Sequence, residues 1–264
     1  LDPGETVKCT FTNTKRGTIV IQKDAIPDDT QDFCFNGDLA DVNGGDPGDF
    51  CLDDDGTASN PLSNSVTYSN QVPGTYNVTE TVPAGWTLTS IRCTDPSGGT
   101  ITSVGTATAS IGLAPGETVT CTFTDTKQAS IEIVKDAVPD DPQNFSFSCS
   151  GDLGSFFLDD DTDSTFSNKQ TYLNQALGSY TCTETVPAGW TLTSIICTGD
   201  TDGDTTVSPG TATATIGLDA GENIKCTFKN TRNSATFTVN KDFSDNNTAS
   251  VSVTLTCGAG TIVA

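Results

Sequence analysis

Short runs of alternating hydrophobic and polar residues recur along the chain, separated by turns rich in Gly, Pro, Asn and Asp. The runs are rich in Thr, Val, Ile, Phe and Tyr, and no segment shows the 3.6-residue period of an amphipathic helix. Alternation with a period of two is typical of strands that bury one face. Hydrophobic residues make up only 34% of the chain, which fits thin sheets whose outer faces meet water. The sequence therefore predicts an all-β protein.

Two copies of one unit make up most of the chain. The 13-residue segment TETVPAGWTLTSI occurs unchanged at 79–91 and 183–195, and the flanking segments align around it with a period of about 105 residues. Roughly seven strands in a unit of this size predict an Ig-like β-sandwich with Greek-key connections. The predicted divisions are the last-strand fragment of a preceding repeat at 1–15, repeat 1 at 16–127, repeat 2 at 128–232, and the first-strands fragment of a following repeat at 233–264.

Only a few residues separate the repeats, as in TKQAS at 126–130. Short connections favour domains arranged as a semi-rigid rod over freely jointed beads. Because neither terminal fragment contains the ETVPAGW segment, we interpret the chain as a window from a longer array.

In each repeat, three polar side chains fall on the apolar faces of predicted strands. Alternation places Lys23, Glu80 and Asp125 on the same faces as the hydrophobic residues around them. The corresponding residues of repeat 2 are Lys135, Glu184 and Asn230. An unpaired buried charge is expensive, so the three side chains of each repeat are predicted to meet.

The segments IVIQKD at 19–24, YNVTETVPAGW at 76–86 and CTFTDT at 121–126 resemble the CnaB-type (SpaA-like, prealbumin-like) domains of bacterial surface proteins and pilins. The resemblance covers essentially the whole chain. Such domains often carry a spontaneous isopeptide bond between a first-strand Lys and a last-strand Asn or Asp, assisted by a Glu.

The resemblance implies a Lys23–Asp125 bond assisted by Glu80, and a Lys135–Asn230 bond assisted by Glu184. Asn13 and Lys241 would belong to further pairs whose partners lie outside the chain. The chemistry would turn over once, so the resemblance implies no enzyme in the usual sense. The alternative is a buried hydrogen-bonded cluster of the same residues without a covalent link.

The chain has ten cysteines, no histidine and no CxxC pair, so zinc-finger spacings are absent and disulfides in an oxidising compartment are favoured. Cysteines at equivalent positions of the two repeats predict the disulfides Cys93–Cys121 and Cys197–Cys226. The remaining cysteines of each repeat give the default pairs Cys34–Cys51 and Cys149–Cys182. Cys9 and Cys257 are predicted to pair outside the chain.

The chain carries 34 acidic and 12 basic residues, a formal net charge of -22. That balance argues against nucleic acid and against an anionic membrane as partners, and no apolar run is long enough to span a bilayer. No cofactor is predicted. Weak calcium candidates are Asp200, Asp202 and Asp204, although a solvated acidic turn explains the same pattern. The acidic runs 53–55 and 159–161 recur in both repeats, which lends some support to a calcium site, but the favoured interpretation is an acidic loop.

The leading hypothesis is a structural repeat region of an extracellular filament, pilus-like fibre or surface stalk. Its partners would be neighbouring repeats or copies of the same protein. The alternative is an adhesin or ligand-binding surface module that uses the variable loops 36–49 and 199–209. A third hypothesis, an accessory domain of a polysaccharide-degrading enzyme, would need catalytic residues elsewhere.

Overall fold

In a computed structural model of the chain, the described residues are 1–39, 49–56, 62–234 and the single positions 238, 240, 242, 244, 248, 250 and 252. The chain divides into two compact units, Leu1–Arg232 and Asn233–Ala264. Within the first of these, residues 5–16 have no regular secondary structure, and the first strand begins at Gly17. No helix among the described residues has the length and apolar character that a membrane span requires.

The described residues of repeat 1 form nine strands and one turn of 3₁₀ helix at Val104–Thr106. The strands are β1 (Gly17–Ile26), β2 (Asp29–Gly37), β3 (Phe50–Asp54), β4 (Ser65–Gln71), β5 (Gly74–Thr81), β6 (Trp86–Thr94), β7 (Ile101–Ser103), β8 (Thr108–Leu113) and β9 (Thr118–Lys127). They form a four-stranded sheet in the order β4-β1-β9-β6 and a five-stranded sheet in the order β3-β2-β5-β8-β7.

Repeat 2 has the same architecture, with 3₁₀ turns at Gly151–Leu153 and Pro209–Thr211. The strands are β10 (Ala129–Val138), β11 (Asp141–Cys149), β12 (Ser155–Asp160), β13 (Lys169–Gln175), β14 (Gly178–Thr185), β15 (Trp190–Thr198), β16 (Thr206–Ser208), β17 (Thr213–Leu218) and β18 (Asn223–Arg232). The sheet orders are β13-β10-β18-β15 and β12-β11-β14-β17-β16. The all-β sandwich prediction is confirmed, with nine strands per repeat where the sequence indicated roughly seven.

In each repeat the first strand lies parallel to the last strand, in the middle of the four-stranded sheet. Strands β1 and β9 pair in continuous register from Thr18 opposite Thr118 to Ile26 opposite Thr126. Strands β10 and β18 repeat this register. Because the first and last strands are neighbours in this sheet, residues far apart in sequence come to lie on one buried face.

Each repeat encloses its own hydrophobic core, and the two cores share no residue. In repeat 1, the Trp86 ring meets the Phe33 ring edge-on, with centroids 5.1 Å apart. Trp190 meets Phe145 in the same way in repeat 2, at 5.3 Å. The exact repetition of the PAGW segment therefore corresponds to a repeated aromatic contact that closes each core.

Four disulfides join residues that lie directly opposite each other on neighbouring strands. They are Cys34–Cys51, Cys93–Cys121, Cys149–Cys182 and Cys197–Cys226, the four pairs that the sequence predicts within the repeats. Cys9 is exposed and forms no disulfide with the described residues. Cys257 lies outside them.

The same backbone contact occurs ahead of each repeat. The Gly116 N–H donates to the Lys15 carbonyl at 3.1 Å, and the Gly221 N–H donates to the Lys127 carbonyl at 3.2 Å. Both glycines occupy the left-handed region, at φ +74° and +82°, in the turn before the last strand. In each repeat, the turn before the last strand thus binds the segment that immediately precedes the first strand.

Candidate functional site

Lys23, Glu80 and Asp125 come together in the core of repeat 1, and no part of their side chains is exposed. The Lys23 Nζ lies 2.6 Å from Asp125 Oδ2 and 3.7 Å from Glu80 Oε1. Lys23 is opposite Phe123 in the parallel β1–β9 pair, so Asp125, two residues further on, lies on the face to which the Lys23 side chain reaches.

The Lys23 ammonium is also held by main-chain and aromatic groups. It donates to the carbonyls of Asp24 at 3.0 Å and Phe123 at 3.1 Å, and lies 4.1 Å from the centroid of the Phe33 ring. These contacts fix the amine against the Asp125 carboxyl. Neither oxygen of Glu80 makes a hydrogen bond to a described residue.

Repeat 2 has the same arrangement with an amide in place of the carboxyl. Lys135 Nζ donates to Asn230 Oδ1 at 3.0 Å and lies 3.8 Å from Glu184 Oε1. It also donates to the Phe228 and Asp136 carbonyls, and the centroid of the Phe145 ring is 4.2 Å away. The Lys135 and Glu184 side chains are fully buried.

Glu184 contacts the amide nitrogen of Asn230 directly. The Asn230 Nδ2 donates to Glu184 Oε1 at 2.9 Å. One carboxyl group therefore lies within 4 Å of both the Lys135 amine and the Asn230 amide nitrogen, where a proton can pass between them.

Burial shifts the pKa of Glu80, Glu184 and Lys135 in the direction that favours the neutral form of each side chain. Burial raises the pKa of Glu80 to about 8, with the Lys23 charge opposing the shift and Asp125 adding to it. Burial likewise raises the pKa of Glu184, against the opposing effects of Lys135 and Asn230. Burial lowers the pKa of Lys135 to about 8, although Glu184 and other carboxylates favour its charged form. Each site thus contains one group whose pKa lies close to physiological pH, Glu80 in repeat 1 and Lys135 in repeat 2.

The structure brings together all six residues that the sequence singled out in the two repeats. Their covalent linkage stays a prediction, and so do the divisions of the chain into domains and fragments. Asn13 is exposed within the irregular segment 5–16, and Lys241 lies outside the described residues.

The aromatic ring that lies against each lysine, Phe33 in repeat 1 and Phe145 in repeat 2, was not predicted from the sequence. The available signal was their equivalent position in the repeats, in DDTQDFCF and DDPQNFSF. The roles of Asp54 and Asp160 were not predicted either: their Oδ2 atoms accept hydrogen bonds from the main-chain N–H groups of Ala25 and Ala137 at 3.0 and 2.9 Å. These two aspartates are structural.

The interpretation of 53–55 and 159–161 as acidic loops is wrong for the first two residues of each run. Those residues belong to strands β3 and β12, and Asp53 and Asp159 are only 2% exposed. Charge alone suggested a solvated loop, but the pairing of these strands carries the aspartates into the interior.

Carboxylate oxygens of the calcium candidates Asp200, Asp202 and Asp204 lie within 4.8 Å of one another. Asp200 accepts main-chain N–H groups from Asp202, Gly203 and Thr205, which stabilises the turn. In repeat 1, Asp95 makes equivalent bonds in a turn without further acids. Calcium binding by the Asp200 group stays a prediction.

The variable loops of the adhesin alternative are only partly described. Residues 40–48 of the loop 36–49 lie outside the described residues, and a cavity of about 350 Å³ borders its two ends. The loop 199–209 contains the turn around Asp200 and the short strand β16. Ligand binding by these loops stays a prediction.

Both repeats match the family model SpaA_4, a prealbumin-like fold domain, over residues 19–127 and 131–232. These matches cover most of the chain, so the chain belongs to this family, and the resemblance seen in the sequence is confirmed. No curated protein matches the chain.

Several solved structures are similar to this chain at low identity and low TM-score. The Bacillus anthracis TIE protein is 17% identical with a TM-score of 0.33, over 83% of this chain and 34% of that one. This chain therefore spans about a third of the TIE protein. The major pilin T-13 of Streptococcus pyogenes is 15% identical with a TM-score of 0.26, over 84% of this chain and 98% of that one. The minor pilin GBS52 of Streptococcus agalactiae is 8% identical with a TM-score of 0.26, over 85% and 100%.

Proposed function

We propose that this chain is a structural repeat region of an extracellular filament, pilus-like fibre or surface stalk, whose repeats are closed by disulfides and by intradomain isopeptide bonds. The observation that carries the proposal is the repeated buried cluster. In both repeats a lysine of the first strand contacts the side chain of an Asp or Asn of the last strand, beside a buried glutamate.

In repeat 2 the reaction is an amide exchange. The neutral Lys135 Nζ attacks the side-chain carbonyl carbon of Asn230, forming a carbon–nitrogen bond. Glu184 takes a proton from the attacking nitrogen and delivers it to Nδ2, which leaves as ammonia. The lowered pKa of Lys135 supplies the neutral amine, and Asn230 Nδ2 already contacts the carboxyl group that would protonate it.

In repeat 1 the reaction is an amide condensation. Lys23 Nζ attacks the side-chain carboxyl carbon of Asp125 and forms a carbon–nitrogen bond, while the bond from that carbon to one carboxyl oxygen breaks. The nitrogen of the Lys23 ammonium gives up two protons and the departing oxygen takes two to leave as water, with Glu80 passing protons between the two atoms. The raised pKa of Glu80 keeps the Glu80 carboxyl group protonated near neutral pH. Glu80 can therefore supply a proton to the oxygen that leaves Asp125. Burial excludes bulk water and so favours the condensed product.

The cross-links and the surface charge fit a structural role outside the cell. Each repeat carries two disulfides, which persist in oxidising compartments. Thin domains with modest cores depend on such covalent links. A net charge of -22 keeps copies of the chain soluble and apart from nucleic acid.

The test is the intact mass of the recombinant chain after complete reduction. Two isopeptide bonds remove one water and one ammonia, and reduction restores neither. Peptide mapping should then find Lys23 joined to Asp125 and Lys135 joined to Asn230. A reduced mass equal to that of the unmodified sequence would show that the clusters are noncovalent and that disulfides alone link the strands.

Matched variants assign each loss to its site. Glu184→Gln should abolish the loss of ammonia and leave the loss of water. Glu80→Gln should abolish the loss of water and leave the loss of ammonia. Glu132→Gln, on the exposed side of β10, should retain both losses. If the two buried variants keep the full mass deficit, the proposed role of the glutamates is wrong.

A further inference from the structure

Three aspartates converge where strand β12 of repeat 2 ends. Asp159, Asp161 and Asp163 each present a carboxylate oxygen, and these oxygens lie within 4.8 Å of one another. Asp159 lies within the strand and is buried, whereas Asp161 and Asp163 lie in the turn that follows. Spacing of two residues directs all three side chains to one place.

The buried member of this group has an oxygen without a partner. Asp159 is 2% exposed, and its Oδ1 makes no hydrogen bond to the described residues. Leaving such an oxygen buried without a partner is costly. Burial, with the charges of Asp161 and Asp163, raises the pKa of Asp159.

The separation of the oxygens fits one bound cation. Calcium binds oxygen ligands at about 2.3–2.6 Å, so two ligands across the ion are about 4.6–5.2 Å apart. Three carboxylate oxygens mutually within 4.8 Å can therefore share one calcium ion. Main-chain N–H groups of Asp163 and Thr165 bind Oδ1 of Asp161 and Asp163, and this holds the turn in its compact form.

We propose that Asp159, Asp161 and Asp163 form a calcium site in repeat 2, a role that does not depend on isopeptide formation. The ion would satisfy the buried Asp159 oxygen and neutralise two carboxylates that approach it from the turn. The remaining coordination positions would be filled by main-chain carbonyls or water, as is usual for calcium.

Repeat 1 offers a built-in comparison. Asp53 and Asp55 occupy the positions of Asp159 and Asp161, and Asp53 is equally buried with an oxygen that has no partner. The sequence 56–63 contains no acid, so the equivalent of Asp163 is missing. With one fewer carboxylate, repeat 1 should bind calcium more weakly than repeat 2.

The Asp200 group is a poorer candidate. None of its three aspartates has a buried oxygen without a partner among the described residues, whereas Asp159 has one. Variants in that group therefore serve as controls.

The experiment is calorimetric titration of the full chain with calcium chloride after treatment with a chelator. Magnesium chloride at the same ionic strength controls for general attraction of cations to an acidic protein. We expect one calcium-selective event with a dissociation constant of about 10⁻⁴–10⁻³ M, the range of extracellular calcium modules. Asp163→Asn and Asp161→Asn keep the Oδ1 acceptor of the turn and should each weaken it about tenfold or more.

The control variants Asp204→Asn and Asp55→Asn should leave the calcium-selective binding event unchanged. The melting temperature of repeat 2 should rise with calcium in the parent chain and rise less in Asp163→Asn. Absence of a calcium-selective event would overturn the proposal. An event that survives Asp161→Asn and Asp163→Asn, or that disappears in Asp204→Asn, would overturn it as well.

Discussion

At the scale of single residues, the two buried clusters differ by one atom type. Asp125 and Asn230 occupy the same position against an equivalent lysine, glutamate and aromatic ring. The leaving group would be water in one repeat and ammonia in the other, while the group that moves the proton is the same. The two repeats are therefore internal controls for each other.

The raised pKa of Glu80 predicts a pH dependence of stability. The folded state holds a proton between pH 4.5, the ordinary value, and about 8, whereas the unfolded state has lost it. The stabilising contribution is thus fully present below pH 4.5 and is lost as the pH rises through 8. We expect the stability of repeat 1 to fall over this range, with a limiting slope of about 1.4 kcal/mol per pH unit.

Thermal unfolding of repeat 1 at a series of pH values measures this slope. Glu80→Gln should flatten it, and Glu184→Gln should leave it as in the parent chain. The slopes are compared and not the absolute melting temperatures, because Glu80→Gln also blocks the proposed cross-link. Equal slopes in the parent and Glu80→Gln would contradict the assignment.

At the scale of strands, alternation in the sequence was enough to predict the faces but not the partners. Lys23, Glu80 and Asp125 were placed on buried faces because their neighbours at i±2 are hydrophobic. The parallel β1–β9 pairing was not predicted, since a strand's pattern reveals which face is buried and not which strand lies beside it. The three-residue strand β7 is too short for any period to be seen.

The repeats use different second disulfides on the same five-stranded sheet. Cys149–Cys182 joins β11 to β14, where repeat 1 has Gly37 opposite Val78. Cys34–Cys51 joins β2 to β3, where repeat 2 has Ser146 opposite Phe157. The shared strand pairing explains why either link can be made without changing the sheet.

Exchanging these pairs should preserve the fold and reduce stability. The double variant Cys149→Gly, Cys182→Val, which copies repeat 1, removes a link across 33 residues. On the loop-entropy model, repeat 2 should lose roughly 3–4 kcal/mol of its free energy of unfolding. Urea denaturation measures the loss.

The reciprocal variant Cys34→Ser, Cys51→Phe should lower the stability of repeat 1 by a slightly smaller amount, because its link spans 17 residues. Repeat 2 should be unaffected. If neither variant changes the stability of the repeat that carries it, the disulfides do not stabilise the native sheets.

At the scale of the whole molecule, the separate cores lead us to predict that the two repeats unfold independently. Phe123 and Phe228 are fully buried in different cores, and distant substitutions act additively. Phe228→Ala should cost repeat 2 about 3–5 kcal/mol and leave repeat 1 unchanged. Phe123→Ala should have the opposite effect.

Each repeat contains one tryptophan, which makes this measurement direct. In a Trp190→Phe background, the fluorescence of Trp86 reports repeat 1 alone, and in Trp86→Phe the signal of Trp190 reports repeat 2. A shift of both signals by either phenylalanine variant would show that the repeats unfold as one.

The main-chain hydrogen bond at the start of each repeat bears on how the number of repeats can change in the gene. The hydrogen bonds of Gly116 to Lys15 and of Gly221 to Lys127 join main-chain atoms, and each lysine side chain lies against the glycine to which its carbonyl is bonded. A gene rearrangement that duplicates or deletes one repeat in frame therefore leaves a junction of the same kind behind.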